Sequence, residues 1–150
     1  MSNDISREAL LDELEIKRLG HLYARGADSN DPDMYAGVFT EDGKVDSPGV
    51  PTIVGQEALR KIPGMLRQFY HMTQHVVFNA VVHITGETAS GETYCQASHV
   101  TRKDDGSMEA FIWAIRYQDE YRKEKGKWRF SHRKLIVDWT ETRPVFELSR

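Results

Sequence analysis

TQHVVFNAVVHITGETASGETYCQASHVTR, residues 73–102, reads as two long strands joined at Thr85-Gly86-Glu87. β-Branched residues crowd both halves, and the centre carries turn chemistry. Working outward towards the C-terminus, Asp104-Asp105-Gly106-Ser107 and Lys123-Glu124-Lys125-Gly126 repeat the punctuation. Strands over 73–84, 88–102, 108–122 and 128–139 then form a four-stranded antiparallel meander. Towards the N-terminus the period changes. Apolar residues recur at Leu10, Leu14, Leu19, Leu22, Tyr23 and Ala27, the spacing of an amphipathic helix of roughly six turns. Ser2, Asn3 and Asp4 offer caps for its start, and Asp28-Ser29-Asn30 ends it, because short polar side chains compete with helical backbone. Asp31-Pro32 starts a short helix running to about Phe39. Glu41-Asp42-Gly43 reads as a turn, and residues 44–47 as a short strand. Residues 55–69 read as a helix kinked or broken at Pro63-Gly64. Helices first and a long-stranded meander after is an α+β plan, a curved sheet with helices on one side and a pocket between.

Composition narrows the field. The chain has 150 residues, 20 basic and 23 acidic, for a net charge of −3. That length suits one domain spanning 1–150, and near-neutrality argues against nucleic acid or an anionic membrane as partner. Hydrophobic residues make up 39%, and 6 Phe, 6 Tyr and 3 Trp are enough to anchor an interior. The lone Cys95 excludes an internal disulfide framework, and without a basic sequence neighbour it reads as a small buried residue. No stretch reaches the roughly 18 apolar residues of a membrane helix, and residues 1–17 lack the apolar run of a signal peptide. A cytoplasmic protein is the expectation.

The histidines are the chemistry-bearing candidates. If the first hairpin turns about Glu87, His75 and His99 stand directly opposite, within about 5 Å at Cβ; a bulge would break that pairing. One face of the first strand then carries His75, Val77, Asn79, Val81 and His83 and lines the pocket near His75. The other, Val76, Phe78, Ala80, Val82 and Ile84, is dry and would pack on a second subunit. The plainer alternative is one core histidine and one solvated one. His71 and His75 have metal-chelating spacing only on a helix; on a strand the side chains are about 13 Å apart, so no metal is expected. No glycine-rich phosphate loop is present.

Asp28 stands at the end of the first helix, where the helix dipole and burial would both push its carboxyl pKa upward. Beside an imidazole, such a carboxylate makes histidine a usable general base or acid. Its alternative role is as the cap of the next helix. Tyr23, one turn deeper, would bring a phenol to the same cavity. Phe111, Trp113, Ile115 and Tyr117 alternate on one strand face. Trp113 and Tyr117, with Val77 and Phe39, are the expected substrate walls.

Four segments carry a resemblance: Tyr23-Ala-Arg-Gly-Ala-Asp28, the Phe39-Thr-Glu-Asp-Gly43 segment, Thr73-Gln-His75 and Gly126-Lys-Trp-Arg-Phe130. Together they resemble the nuclear transport factor 2-like superfamily, in particular its SnoaL-like branch, which includes scytalone dehydratase, bile-acid 7α-dehydratase and hexachlorocyclohexane dehydrochlorinase. The resemblance covers about residues 5–140. It implies a cone-shaped, cystatin-like α+β fold with a curved mixed or antiparallel sheet and an Asp–His pair in the cavity. Asp28 and His75 match that pair, His99 a second pocket histidine, and Tyr23 a phenol five residues before the aspartate. Ser47, Ile115 and Tyr117 depart from the scytalone pattern, and no counterpart of a helping arginine is evident, so the substrate does not transfer.

The resulting expectation is a lyase of dehydratase type, without cofactor or metal, acting on a small apolar cyclic or polyketide- or steroid-like molecule. Asp28, His75, Tyr23 and His99 would be its catalytic residues. Two alternatives stay open: an isomerase or cyclase of ketosteroid-isomerase type, and a ligand-binding module without catalysis. The expected partners are a small molecule and further copies of the chain, as trimer or dimer.

Overall fold

A computed structural model describes residues 5–148. Helix α1 (Arg7–Asp28) begins where the Ser6 hydroxyl accepts from the Ala9 N–H, and ends at Ser29. Asp12, Glu15, Ile16 and Leu19 lie on one helical face and meet the sheet; Asp12 pairs with Lys123 at 2.8 Å and Glu15 accepts from the Trp128 N–H. Leu10 and Leu14 are therefore turned outward, 52% and 65% exposed, against the stripe expected from their spacing. The inward face begins at Ile16 and continues through Leu19, Tyr23 and Ala27.

Helix α2 (Pro32–Gly37) is capped by Asp31, whose carboxylate accepts from Met34 N at 2.9 Å. Asp28 is thereby released from capping duty. Gly26 is required at the α1–α2 contact, because a Cβ there would stand 2.6 Å from the Tyr35 nitrogen. Strand β1 (Phe39–Asp46) contains Glu41-Asp42-Gly43 as a bulged segment, not as the turn expected. Gly43 makes the bulge feasible, since a Cβ would lie 2.8 Å from that of Phe39. After β2 (Ile53–Val54) come α3 (Gln56–Leu59) and α4 (Ile62–Phe69). The helix is broken, as one of the two expectations had it, but at Arg60-Lys61 and not at Pro63-Gly64. Pro63 sits in the first turn of α4, where its missing N–H costs nothing.

The four long strands are β3 (Met72–Thr85), β4 (Thr88–Arg102), β5 (Met108–Glu124) and β6 (Lys127–Val145). They form the expected antiparallel meander, and β1 adds to β6 in parallel, giving a six-stranded mixed sheet of order β2-β1-β6-β5-β4-β3. Lys125 and Gly126, both at positive φ, close the last hairpin as a two-residue turn. Trp128, Phe130, Phe39, Tyr35, Ile16 and Leu59 are fully buried between sheet and helices. In the same layer Arg133 and Asp119 form a bidentate pair at 2.9 and 2.8 Å, with both side chains sealed from solvent.

The β3–β4 register differs from that expected. The turn holds two residues, Gly86 and Glu87, so Thr85 faces Thr88. A bulge between Val77 and Ala80 then shifts the pairing again, placing His75 opposite Ala97 and Thr73 opposite His99. The two histidines are diagonal neighbours on one face, with ring centroids 6.2 Å apart. The bulge also exchanges the faces of β3. Thr73, His75 and Val77 point inward before it, and Ala80, Val82 and Ile84 after it. Val76, Phe78 and Val81 are left outward, 45%, 49% and 56% exposed. The expected five-residue His face and five-residue apolar face are each half of what the strand presents. Among the described residues no helix is long and apolar enough to cross a membrane.

Candidate active site

A cavity of about 220 Å³ opens between the concave face of the sheet, the end of α1, α2 and α4. Its floor comes from β3–β6 through His75, Ala97, His99, Trp113, Ile115 and Leu135. Tyr23, Ala27 and Tyr35 close one side; Ile62, Met65, Leu66, Phe69 and Tyr70 form another. Val45, Ser47, Val50 and Ile53 complete the wall. The lining holds no Lys, Arg, Asp or Glu.

At one end, the last residue of α1 meets β3. The Asp28 carboxylate accepts three hydrogen bonds: His75 Nδ1 at 2.7 Å, the His75 backbone N–H at 2.8 Å and the Thr73 hydroxyl at 3.0 Å. The strand period makes this possible, because Thr73 and His75 are two apart and share a face. Burial pushes the Asp28 carboxyl up, but the bonds from His75 and Thr73 outweigh it and hold the pKa below the usual value. The upward shift expected from the helix dipole is thus reversed, since the carboxylate gains three donors at the helix end. Arg67 of α4 also donates to the Asp28 carbonyl oxygen at 3.1 Å, a cation satisfying the last carbonyl of α1.

An ionised carboxylate has no proton to give, so the proton of this bond is on His75 Nδ1, and in the neutral imidazole Nε2 is the acceptor. Nε2 has no partner among the described residues, and His75, 7% exposed in its side chain, lines the cavity. Tyr23 stands edge-on to this ring, centroids 6.3 Å apart. Burial raises the Tyr23 pKa, opposed by the Arg133 charge and a hydrogen bond from Tyr35, so the phenol stays protonated. The Arg133 guanidinium lies 4.4 Å from the Tyr23 ring, 3.8 Å from Tyr117 and 4.1 Å from Phe130, fixing these rings beneath the cavity.

His99 is deeper and 5% exposed. Its Nδ1 bonds the Phe111 carbonyl oxygen at 3.1 Å, and its ring lies 4.8 Å from Tyr70 and 5.1 Å from Trp113. Burial, with a smaller contribution from His75, holds its pKa below the ordinary histidine value.

Of the residues singled out as catalytic, Asp28, His75, Tyr23 and His99 gather at this cavity. Of the expected walls only Trp113 lines it. Phe39 is sealed in the core against Phe130, Val77 packs on α1 at Gly20, and Tyr117 is buried under Arg133. Each points inward, but below the cavity floor. Tyr35, Tyr70, Thr73, Arg67 and the α4 wall were missed. Thr73 alone left a signal, its same-face spacing from His75. His71 lies apart from His75, bonded to Glu147, and no three metal-binding side chains converge among the described residues. Cys95 is buried and its thiol pushed up to about 11, chiefly by burial.

Residues 8–134 match the family model of the SnoaL-like domain. No curated protein sequence matches. Among solved structures, a candidate scytalone dehydratase from Novosphingobium aromaticivorans is 25% identical at TM-score 0.77, over 88% of this chain and 87% of that one. A Nostoc punctiforme protein of unknown function with a cystatin-like fold is 25% identical at TM-score 0.71, over 85% and 92%. A type 2 hexachlorocyclohexane dehydrochlorinase shares the fold at TM-score 0.78, with 20% identity over 93% and 92%.

Proposed function

The chain belongs to the SnoaL-like domain family of the nuclear transport factor 2-like superfamily, and from that premise we propose that it is a dehydratase-type lyase working by acid–base chemistry at Asp28 and His75. The observation that carries this reading is the 2.7 Å contact between His75 Nδ1 and an ionised, triply bonded Asp28, with Nε2 free at an apolar cavity. In the proposed reaction His75 Nε2 removes the proton from the carbon next to a substrate carbonyl. Asp28 stabilises the imidazolium and fixes its tautomer. The Tyr23 hydroxyl donates to the carbonyl oxygen as charge develops there. The C–O bond to the hydroxyl one carbon further then breaks, and the imidazolium returns its proton to the departing oxygen. The products are an unsaturated ketone and water, with His75 restored.

A neighbour described as a candidate scytalone dehydratase supports this class of reaction. A carboxylate base of ketosteroid-isomerase type fits less well, because Asp28 already accepts three hydrogen bonds. The outward Val76, Phe78 and Val81 support self-association through the convex face of the sheet, as trimer or dimer. The test is a panel of one- and two-ring β-hydroxy ketones followed by mass. Loss of one water supports the lyase; a product of unchanged mass, or no product across the panel, overturns it.

A further inference from the structure

Helix α1, like any α-helix, leaves the last carbonyl oxygens at its end without helical partners. Three of them are met by the backbone that follows: Arg25 by the Ser29 N–H at 2.9 Å, Gly26 by the Asp31 N–H at 2.9 Å and Ala27 by the Asn30 N–H at 3.4 Å. The fourth belongs to Asp28 itself, and its partner is a side chain. Arg67 of α4 donates to it through Nη2 at 3.1 Å. The same guanidinium donates through Nη1 to the His71 carbonyl oxygen, also at 3.1 Å. His71 stands just before β3, and its own N–H donates to the Val100 carbonyl oxygen of β4 at 2.8 Å. Thr73 and His75 follow on β3, and both bond the Asp28 carboxylate.

One planar fork thus joins the two chain segments that bring Asp28 and His75 together, although these residues are 47 positions apart. Both bonds go to backbone oxygens, so what the side chain fixes is the path of the chain and not another charge. Its own helix is a wall of the cavity, through Ile62, Met65, Leu66 and Phe69. A helix of 8 residues is not stable by itself, and Met65 and Phe69 are exposed, so burial alone holds this wall weakly. From this geometry we propose that Arg67 is a positioning residue: it ties the wall helix α4 to the segments bearing Asp28 and His75, so that the pair is aligned only while α4 is seated over the cavity. Without the guanidinium the carboxylate keeps its bonds to His75 and Thr73, but the Asp28 peptide and the entry to β3 are no longer held to each other. Misplacing a base costs turnover more than binding, because the wall side chains remain. The effect on turnover rests on the dehydratase reading; the alignment of the pair does not.

Two variants separate this role from simple packing. Arg67→Met keeps the aliphatic stem and loses both donors, and Gln68→Ala alters the neighbouring exposed position of α4. Hydrogen exchange followed by NMR reads the His75 N–H, which is bonded to Asp28, without any substrate. In Arg67→Met it should exchange about three- to tenfold faster, the worth of roughly one hydrogen bond. The Cys95 and Ala97 amides on the neighbouring β4 should keep their wild-type rates, since a general loosening of the sheet would raise them as well. With a hydroxy-ketone as substrate, kcat should fall by about the same factor while KM stays within about twofold. Gln68→Ala should change neither exchange nor kcat. An unchanged His75 exchange rate in Arg67→Met, an equal rise at Cys95 and Ala97, or a rise in KM alone would overturn the proposal, the last because it would make Arg67 part of the wall only. Failure of the lyase reading shows differently: the His75 N–H responds as stated, and no hydroxy-ketone loses water.

Discussion

Among the described residues are two Asp–His pairs of nearly equal length. His75 Nδ1 lies 2.7 Å from Asp28, and His132 Nε2 lies 2.6 Å from Asp46. Both carboxyls are held below their usual pKa. In Asp46 the first cause is a hydrogen bond from Thr52 and the second the bond from His132; in Asp28 burial opposes, and the bonds from His75 and Thr73 prevail. The surroundings differ. The His132 and Asp46 side chains are 29% and 32% exposed, and His132 lines an open polar groove. His75 is nearly enclosed, its own backbone N–H also bonds Asp28, and its second nitrogen opens onto an apolar cavity beside a phenol. An imidazole–carboxylate contact alone therefore does not mark a site; fixation from several directions and exclusion of water set the inner pair apart as the candidate.

Each prediction sets the inner pair against the outer one. The largest effect is expected from His75→Ala, which removes the proposed base and should slow water loss about 10²–10⁴-fold, while His132→Ala should leave turnover unchanged. Steady-state rates on a hydroxy-ketone substrate check both. Asp28→Asn comes next, approaching the same loss because the imidazole loses its orienting anion; Asp46→Asn should not move kcat. Thr73→Val deletes one of three bonds to Asp28, so a loss of about 0.5–1.5 kcal/mol in stability by urea denaturation is expected. A matching Thr52→Val change at the outer pair should cost less, since water can replace the hydroxyl there.

The smallest effect is on the acid limb of stability. In the unfolded chain Asp28 titrates near 3.8, and in the folded chain lower. Between those values the unfolded form binds the proton and the folded form does not, so protons favour unfolding. The contribution of Asp28 is intact above pH 3.8 and is lost as the pH falls towards the folded value. Urea midpoints measured from neutral pH into this range should fall less steeply in Asp28→Asn than in the wild type. Asp46→Asn should change the slope less, because solvent screens its exposed pair.

Much of this contrast could be read from the residues. The long helix, the meander and the placement of Asp28 at a helix end follow from spacing and turn chemistry. Asp31 as the cap of α2 left Asp28 free, as its Asp-Pro context suggested. The β3–β4 register did not follow, because it depends on whether Gly86-Glu87 or three residues form the turn and on a bulge at Phe78-Asn79. Neither leaves a mark in composition, and each shifts strand parity by one. The α4 wall was obscured because Pro63 reads as an interruption when it is a helix start. Arg133 was invisible for a different reason. A charged residue on a strand reads as exposed, and only the structure shows Asp119 and three aromatic rings enclosing it. The outer His132–Asp46 pair left no signal either, since β1 and β6 pair in parallel across 86 residues of sequence.

The central claim is that Asp28 and His75 act as one unit, and a double-mutant cycle tests it most directly. Rates of water loss would be compared for the wild type, Asp28→Asn, His75→Ala and the double variant. Residues that act only together give strongly non-additive losses. The double variant should therefore be no slower than His75→Ala alone. Multiplying losses, with the double variant slower by the product of the two single effects, would contradict the claim and leave His75 and Asp28 as independent contributors.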